Sequence, residues 1–282
     1  FDNASSTSPN TSLHFYTRGG GSLTEVLTID ESGNVGIGTA EPRTKLELNN
    51  DGAILAIGTY DSGWTEPNLG AGTRLLWYPR KAAFRAGYVS GTQWDNANIG
   101  DYSVAMGYDT KASGSYSTAM GYVTTASGAY SMAMGSAATA SGYFSMAMGS
   151  QTTASGYLST TRGLWVTASG DYSTAVGQHL TAQAYNSLAI GRYNVGGGTT
   201  DSWVSTDPLF EIGIGTSDTD KANALTVLKN GLVGIGTTSP TEKLTITLDD
   251  SSTSTVSTLL GLNKTTTGTA GAGIGSGLMF RA

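Results

Sequence analysis

The sequence has 282 residues, a length that suits one large domain or two ordinary ones. Charged residues make up only 13% of it, about half the roughly 25% usual for globular proteins, while Gly supplies 40 positions and Cys none. An apolar share of 38% excludes a disordered acidic tail, and the lack of Cys excludes disulfides and thiolate metal sites. The net charge of −6 argues against a nucleic-acid partner. The sequence contains no apolar run of about 18 residues, so we expect no direct membrane insertion.

Residues 1–80 are predicted to form an N-terminal β connector unit. From Val26 to Thr39 the chain reads V-L-T-I-D-E-S-G-N-V-G-I-G-T, and Pro42 and Lys45-Leu46 follow. This pattern predicts a strand, a Gly turn, a second strand, a Pro-marked turn and a third strand. The G-I-G-T motif lacks the third Gly and the helix of a phosphate-binding loop, so we expect no nucleotide site.

The next segment, residues 81–198, is predicted to be a β-roll. Residues 81–100, with Arg85 and Trp94, read as an irregular first coil that is six residues longer than the others and caps the roll. Residues 101–198 then repeat seven times with a period of 14; counting Asp101 as position 1, position 3 is Ser and position 7 is Gly in every repeat, and position 5 is Ala in six. A period of 14 fits one coil of a β-solenoid with two short strands, and we expect the glycines to supply positive φ at its two turns.

Alternation along the first strand of each coil predicts an inner and an outer face. Ser103, Ala105 and Gly107 would share the inner face, and Val104 and Met106 the outer one. Such small inner residues bury too little apolar area to offset backbone ordering, so we expect identical chains to bury their outer stripes around a common axis, as a homotrimer. The trimer-interface candidates share position 6: Met106, Met120, Met134, Met148, Val176 and Ile190. The alternative is that flanking segments of the same chain cover the stripe.

Two segments follow the roll. Residues 199–223 are predicted to be a capping linker, and residues 224–282 a second, truncated β connector unit that continues into a further fibre segment. This second unit repeats the pattern of residues 26–46 at a distance of 198 residues, and residues 271–280 echo residues 70–77.

The repeat unit S-x-A-M-G-x-x-x-x-A-S-G resembles the head repeats of YadA-type trimeric autotransporter adhesins. The resemblance implies a left-handed parallel β-roll, assembled as a homotrimeric fibre. The flanking V-G-I-G-T-x-x-P-x-x-K-L segments resemble those of phage tail fibres and related bacterial surface fibres, and imply interwoven β connectors.

One coil departs from the repeat. In residues 157–170, Thr161 replaces the Ala of position 5 and Arg162 replaces the apolar residue of position 6. A buried, unpaired guanidinium is costly, so we expect an anion, a carboxylate or water at Arg162, or a local bulge that turns it outward.

The sequence predicts no enzyme: it offers no catalytic, cofactor or metal site. The two histidines, His14 and His179, stand in unrelated contexts, and His179 occupies a turn position where other coils carry quite different residues.

The remaining surface candidates are aromatic side chains and hydroxyl groups. Tyrosines recur at positions 2 and 8, where stacked rings would offer a surface to a glycan or protein receptor or would simply cover the roll edge. The receptor-surface candidates are Tyr102, Tyr108, Tyr116, Tyr122, Tyr130 and Trp165. A Thr-x-Ser array at positions 11 and 13 resembles the face of ice-binding solenoids. The bulky Trp165 nearby and packing in a trimer would spoil a broad flat surface, so both argue against ice binding.

Together these patterns predict an all-β, non-enzymatic, extracellular fibre segment that adheres to a glycan or protein receptor on a host-cell surface. The segment would belong to a bacterial surface or outer-membrane-attached adhesin, or instead to a virion tail fibre.

Overall fold

The computed structural model describes residues 11–49 and 53–247, and these residues form strands, turns and two single turns of 3-10 helix, with no α-helix among them. The echo of residues 70–77 at residues 271–280 lies outside the described part. Contacts within the chain cluster into two units that divide between Ile57 and Gly58. They resolve no finer division, so the boundaries at residues 80, 198 and 223 stay predictions.

The first unit is a four-stranded sheet. Its strands are β1 (Leu13–Gly19), β2 (Ser22–Ile29), β3 (Val35–Ile37) and β4 (Leu46–Leu48). The pairs β1–β2 and β2–β3 are antiparallel, whereas β3–β4 is parallel. The turn between β2 and β3 is closed by Asp30, whose Oδ1 accepts hydrogen bonds from the backbone N–H groups of Ser32 and Asn34, each at 2.8 Å.

The second unit begins with β5 (Gly72–Tyr78), a 3-10 turn at Pro79–Lys81, β6 (Ala83–Val89) and a second 3-10 turn at Asn96–Asn98. Thereafter a five-residue strand and a two-residue strand alternate in each coil. In chain order these are β7 (Val104–Tyr108), β8 (Lys111–Ala112), β9 (Thr118–Tyr122), β10 (Thr125–Ala126), β11 (Met132–Ser136), β12 (Thr139–Ala140), β13 (Met146–Ser150), β14 (Thr153–Ala154), β15 (Thr160–Leu164), β16 (Thr167–Ala168), β17 (Thr174–Gln178), β18 (Thr181–Ala182) and β19 (Leu188–Arg192).

The coils stack as a parallel β-solenoid with two sheets. The long sheet contains 13 strands and the short sheet six. From β6 to β19 in the long sheet, and throughout the short sheet, each strand pairs in parallel with the equivalent strand of the next coil, whereas β5 pairs antiparallel with β6. Pairing joins residues 14 apart, as in Met120↔Met134, so each repeat position forms a straight column. The repeat and the all-β solenoid predicted from the sequence are confirmed.

The solenoid continues into the second connector without leaving the long sheet. Strand β20 (Pro208–Ile214), inside the predicted capping linker, pairs in parallel with β19 and antiparallel with β21 (Asn223–Leu228). Strands β22 (Val233–Ile235) and β23 (Leu244–Ile246) then repeat the β3 and β4 pairings 198 residues on, as Val35↔Leu46 and Val233↔Leu244 show. The sequence duplication is thus also a structural one.

The solenoid core is thin. The Ser of position 3 and the Ala of positions 5 and 12 are buried in the coils, as are Thr110, Val166 and Leu180 of position 10. Four of the seven Ser hydroxyls donate to the carbonyl three residues earlier and so close a turn, as Ser117 does to Gly114 at 2.6 Å. The hydroxyls of Ser131, Ser159 and Ser173 are buried without a hydrogen-bond partner among the described residues, so this bond accounts for Ser in four of the seven coils.

The two glycine columns differ in backbone conformation. Gly107 to Gly191 of position 7 have the positive φ predicted for glycine, +97° to +147°, but they lie inside the long strands rather than at turns. Gly114 to Gly156 of position 14 lack a positive φ. A Cβ on Gly135 would lie 2.1 Å from the carbonyl oxygen of Gly149, and one on Gly128 would lie 2.0 Å from that of Gly142. These positions are Gly because the backbone of the next coil occupies the space of a side chain.

The turns themselves are made by residues other than Gly. Position 2 has φ of +53° to +59° in every repeat, as at Tyr116, and position 9 has φ of +44° to +56°, as at Val123 and Trp165. Such backbone costs about 1–2 kcal/mol per residue. Backbone hydrogen bonds between coils hold this conformation. The N–H of Tyr116 donates to the carbonyl of Asp101 at 2.7 Å, and that of Val123 donates to the carbonyl of Tyr108 at 2.8 Å. The predicted positive φ of glycine is thus found at position 7, but the prediction that glycines make these turns is wrong.

A buried arginine closes the first end of the core. Arg85 takes the Ala place in the first coil and is fully buried. Its guanidinium donates to the Ser103 carbonyl at 2.9 Å, the Ser103 hydroxyl at 2.8 Å and the Ala112 carbonyl at 3.1 Å. Burial lowers the pKa of Arg85 to about 10. Trp94 adds a bond from its indole N–H to the Thr110 carbonyl at 2.8 Å, so both side chains cover the free edge of β8.

A buried glutamate closes the other end. Glu211 pairs with Ala189 and takes the Ala place in β20. Its carboxylate accepts bonds from Asn194 and Asn223, each at 2.6 Å, and from the Gly196 N–H at 3.2 Å. The Asn194 amide also pairs with both the N–H and the carbonyl of Thr181, at 2.8 and 2.9 Å, and so substitutes for a further strand beside β18.

The steric role of the glycine columns predicts a large loss of stability for Gly135→Ala. The new Cβ would collide with the next coil, and we expect a loss of more than about 3 kcal/mol in the free energy of unfolding, or failure to fold. Gly197→Ala is the control, because Gly197 also has positive φ (+108°) but open space around it, and should lose about 1–2 kcal/mol. Denaturant unfolding measures both; equal losses would contradict the steric account.

Glu211 predicts a pH dependence. Burial raises the pKa of the Glu211 carboxyl above its ordinary value, and hydrogen bonds from the two Asn side chains oppose this only in part. The folded state therefore favours the protonated form, so the contribution of Glu211 to stability is full below the unfolded pKa of about 4.3 and declines as pH rises through the raised folded value. Urea unfolding from about pH 4 to pH 7 should show the native chain losing stability relative to Glu211→Gln; a gain would mean that the pKa is lowered.

Candidate interaction surfaces

An apolar stripe follows the outer face of the long sheet. It consists of positions 4 and 6, which point away from the buried Ala column of position 5. The predicted interface residues stand in one column of paired neighbours: Met106, Met120, Met134, Met148, then Arg162, Val176 and Ile190. Ile212 of β20 extends the column, although its place outside the 14-residue period hid it from sequence analysis. These eight strands at about 4.8 Å spacing give the stripe a length of roughly 34 Å.

The stripe is only partly covered in the single chain. The four methionines of position 6 and Ile190 are half-buried, and Val176 is 39% exposed. Burying a Met fully contributes about 1.5–3 kcal/mol, whereas one methyl group of the inner Ala column contributes about 0.8 kcal/mol. Most of the apolar surface that the solenoid could still bury therefore lies on the stripe, outside its core. The described residues of the chain leave this surface accessible.

Arg162 interrupts the stripe without distorting it. Strand β15 keeps its register with both neighbours, Arg162 pairing with Met148 on one side and Val176 on the other. The bulge considered from the sequence is therefore absent. The Arg162 side chain is exposed, and among residues 11–49 and 53–247 it has neither a hydrogen-bond nor an ion-pair partner.

Aromatic side chains form ladders along the corners of the solenoid. Tyr102, Tyr116 and Tyr130 stack in sequence with ring centroids 4.7 Å apart, and Phe144 continues the stack at 4.7 Å. This is ladder 1, at position 2. Its spacing is that of the strands, because the same left-handed backbone conformation in every coil places equivalent side chains directly above one another.

Residues from outside the regular repeats extend the ladders. Tyr60 stacks on Tyr102 at 4.9 Å and donates a hydrogen bond from its hydroxyl to the Asp101 carboxylate at 3.1 Å. The neighbouring Tyr102 hydroxyl, burial and the Asp101 carboxylate raise the pKa of Tyr60 to about 12. Ladder 2, at position 8, joins Tyr88, Tyr108 and Tyr122 at 5.2 and 5.1 Å. Tyr88 falls at position 8 of the irregular first coil and was predictable from that alignment; Tyr60 gave no sequence signal.

Trp165 belongs to a third ladder, at position 9. Its ring stacks on His179 at 5.9 Å, and His179 stacks on Tyr193 at 4.4 Å. Trp165 ends this ladder, because position 9 of the preceding coil is Gln151. The six receptor-surface candidates thus occupy three separate ladders, and each is between 40% and 55% exposed.

The short sheet presents the hydroxyl array. Its outward residues are the half-buried threonines of position 11, from Thr125 to Thr181, with Lys111 at the start, and serines of position 13 beside them. The array is two residues wide, and the long sheet carries no continuation of it.

The described residues contain no group of three or more His, Cys, Asp or Glu side chains that could hold a metal ion. The same part of the chain holds no helix long and apolar enough to cross a membrane.

These features define the class: a parallel β-solenoid of 14-residue coils with a thin core, aromatic corners and one accessible apolar stripe. Comparison with protein families assigns its repeats, since residues 99–123, 126–152, 140–160 and 168–194 match the YadA head domain repeat. The chain therefore carries a block of YadA head domain repeats, which occupies less than half of its length. Residues 161–167, which include Arg162 and Trp165, fall outside the matches. No curated protein matches the chain.

Proposed function

We propose that this chain is a non-enzymatic, extracellular segment of a homotrimeric fibre whose solenoid head adheres to a host-cell surface. The observation that carries the proposal is the accessible apolar stripe on a block of YadA head domain repeats. This stripe and the exposed aromatic ladders together support three parts of the proposal: trimer formation, a host-cell receptor and attachment to a bacterial surface.

The geometry of the stripe favours copies of the same chain as its cover. Because every coil pairs in register, the stripe is straight and repeats every 14 residues. An identical stripe on a second and a third chain matches this spacing, and a rotation axis parallel to the solenoid brings the three stripes together in a closed arrangement. Three copies of Arg162 then approach that axis at one level, where an anion or water between them would offset their repulsion.

A tail-fibre segment is the second candidate. The unit β2–β4 recurs as β21–β23 with the same pairings, so the chain contains two copies of one connector around the solenoid. Such alternation suits a fibre of several segments, and the resemblance of V-G-I-G-T to tail-fibre segments supports it. In this case the cell-surface partner is bacterial.

The interface proposal predicts that Met120→Asp with Met134→Asp blocks assembly. Two carboxylates in neighbouring coils would have to be buried unpaired at the centre of the trimer, which is strongly unfavourable. The control is Thr125→Asp with Thr139→Asp, which places the same charges in the same two coils on the short sheet. Light scattering should show a monomer for the methionine variant and the native mass for the control. Loss of assembly in both, or in neither, would contradict the assigned interface.

Adhesion is tested with the purified fluorescent chain on cells. We expect the native protein and the threonine control to bind animal epithelial cells. The methionine variant should bind at least about 100-fold more weakly, because dissociation removes both avidity and the folded solenoid that burial of the stripe stabilises. Binding to bacterial cells alone would favour the tail-fibre candidate. Binding to neither cell type would overturn the adhesive function.

A further inference from the structure

A surface cleft lies beside ladder 3, at the end of the solenoid. It has a volume of about 270 Å³ and is lined by Trp165, His179, Thr181, Asp218 and Lys221. Trp165 belongs to one coil and His179 and Thr181 to the next, while Asp218 and Lys221 belong to the loop that joins β20 to β21. The cleft therefore combines an aromatic wall with a charged wall, which come from parts of the chain about 40–50 residues apart.

The loop that carries the charged wall is firmly held. Its base is fixed by the bond from the Ala222 N–H to the Tyr193 carbonyl at 3.1 Å and by that from Ile214 to Ala222 at 2.9 Å. Across the loop the Thr216 N–H donates to the Asp220 carbonyl at 2.9 Å. Asp218 and Lys221 are thus presented by a short ordered hairpin beside the last coils.

The polar groups of the cleft have capacity for a ligand. The closest charged contact within it joins His179 Nδ1 to Asp218 Oδ2 at 3.8 Å, too long for a hydrogen bond, and the Asp218 side chain is 73% exposed. The Lys221 ammonium has three donors, and among the described residues it has no ion-pair or hydrogen-bond partner. A carboxylate, an ammonium and an imidazole therefore surround the cleft without satisfying one another.

The aromatic wall differs from the other ladder ends in the charged side chains that lie beside it. Tyr122 also ends a ladder and is 55% exposed, close to the 51% of Trp165, but its own coil carries no charged residue. Trp165, by contrast, is an exposed ladder end that lines the same cleft as a carboxylate and an ammonium. The coil that carries Trp165 is also the one whose residues 161–167 fall outside the family matches.

We propose that this cleft binds one pyranose unit of a cell-surface glycan. The C–H face of a pyranose is apolar and suits the indole of Trp165, while its hydroxyl groups donate to Asp218 and accept from Lys221. The volume lies just below the roughly 300–1,000 Å³ of drug-sized pockets, which fits a single sugar rather than an extended chain. The source of the sugar rests on the proposed adhesive function; the binding chemistry of the cleft does not.

The test is an NMR titration of the full chain with methyl pyranosides: a glucoside, a galactoside, a mannoside, an N-acetylglucosaminide and an N-acetylneuraminide. At least one should shift resonances of Trp165 and Lys221. Trp165→Gln and Asp218→Asn should weaken its binding at least about tenfold. Gln151 holds the same turn position one coil earlier, so Trp165→Gln should keep the fold, which circular dichroism checks.

Leu158→Asn is the matched control, because Leu158 lies in the same coil as Trp165 and Asn186 occupies the same turn position two coils later with nearly the same φ. It removes an exposed apolar side chain at another corner of the coil and should leave sugar binding unchanged. If no pyranoside shifts the cleft resonances, or if Trp165→Gln binds as the native chain does, the inference is overturned even where cells are bound. Pyranoside binding without cell adhesion would instead uphold the cleft and overturn the adhesive function.

Discussion

Successive coils of this solenoid touch backbone to backbone at two glycine columns, and most other features follow from that contact. A Cβ at position 7 or 14 would lie about 2 Å from the carbonyl oxygen of the next coil. Each coil must therefore repeat the path of the previous one, with the same strands, the same corners and the same φ at Tyr116 as at Tyr130. Identical corners stack identical side chains, which produces the aromatic ladders. The same stacking disfavours like charges in one column, and residues 101–198 contain only six charged side chains.

Close stacking also limits the core. With Ser, Ala and small position-10 residues inside, the coil interior has no room for large apolar groups. Its two ends are closed by polar side chains instead: Arg85 donates to carbonyls at the first end, and Glu211 accepts from amides at the other. The larger apolar side chains lie outside, on the stripe. In such a solenoid the strand register is fixed, but little apolar surface is buried within one chain. For this reason we assign the stripe to contact with further copies of the chain.

Much of this architecture could be predicted from the sequence, because a 14-residue period and strand alternation identify the coil and its two faces. The roles of the glycines could be predicted only in part. Gly135 has the positive φ that is usual for glycine, +120°, but only the structure shows that it lies in a strand against the backbone of the next coil, while Tyr116 and Trp165 make the corners. Arg85 and Glu211 were also hidden, since their shared place in the Ala column depends on aligning irregular coils. The cleft was beyond sequence reasoning because the β20–β21 hairpin brings Asp218 back to His179.

We have proposed a function for two features: assembly through the stripe and recognition through the sugar-sized cleft. The stripe is the more fundamental, because on this proposal the stability of the thin solenoid depends on burial of the stripe. The most direct test is the mass of the native chain by light scattering as it is diluted from micromolar to nanomolar concentration. The account predicts three times the chain mass of 28.9 kDa, with unfolding accompanying dissociation. A folded, stable monomer of 28.9 kDa throughout would contradict it.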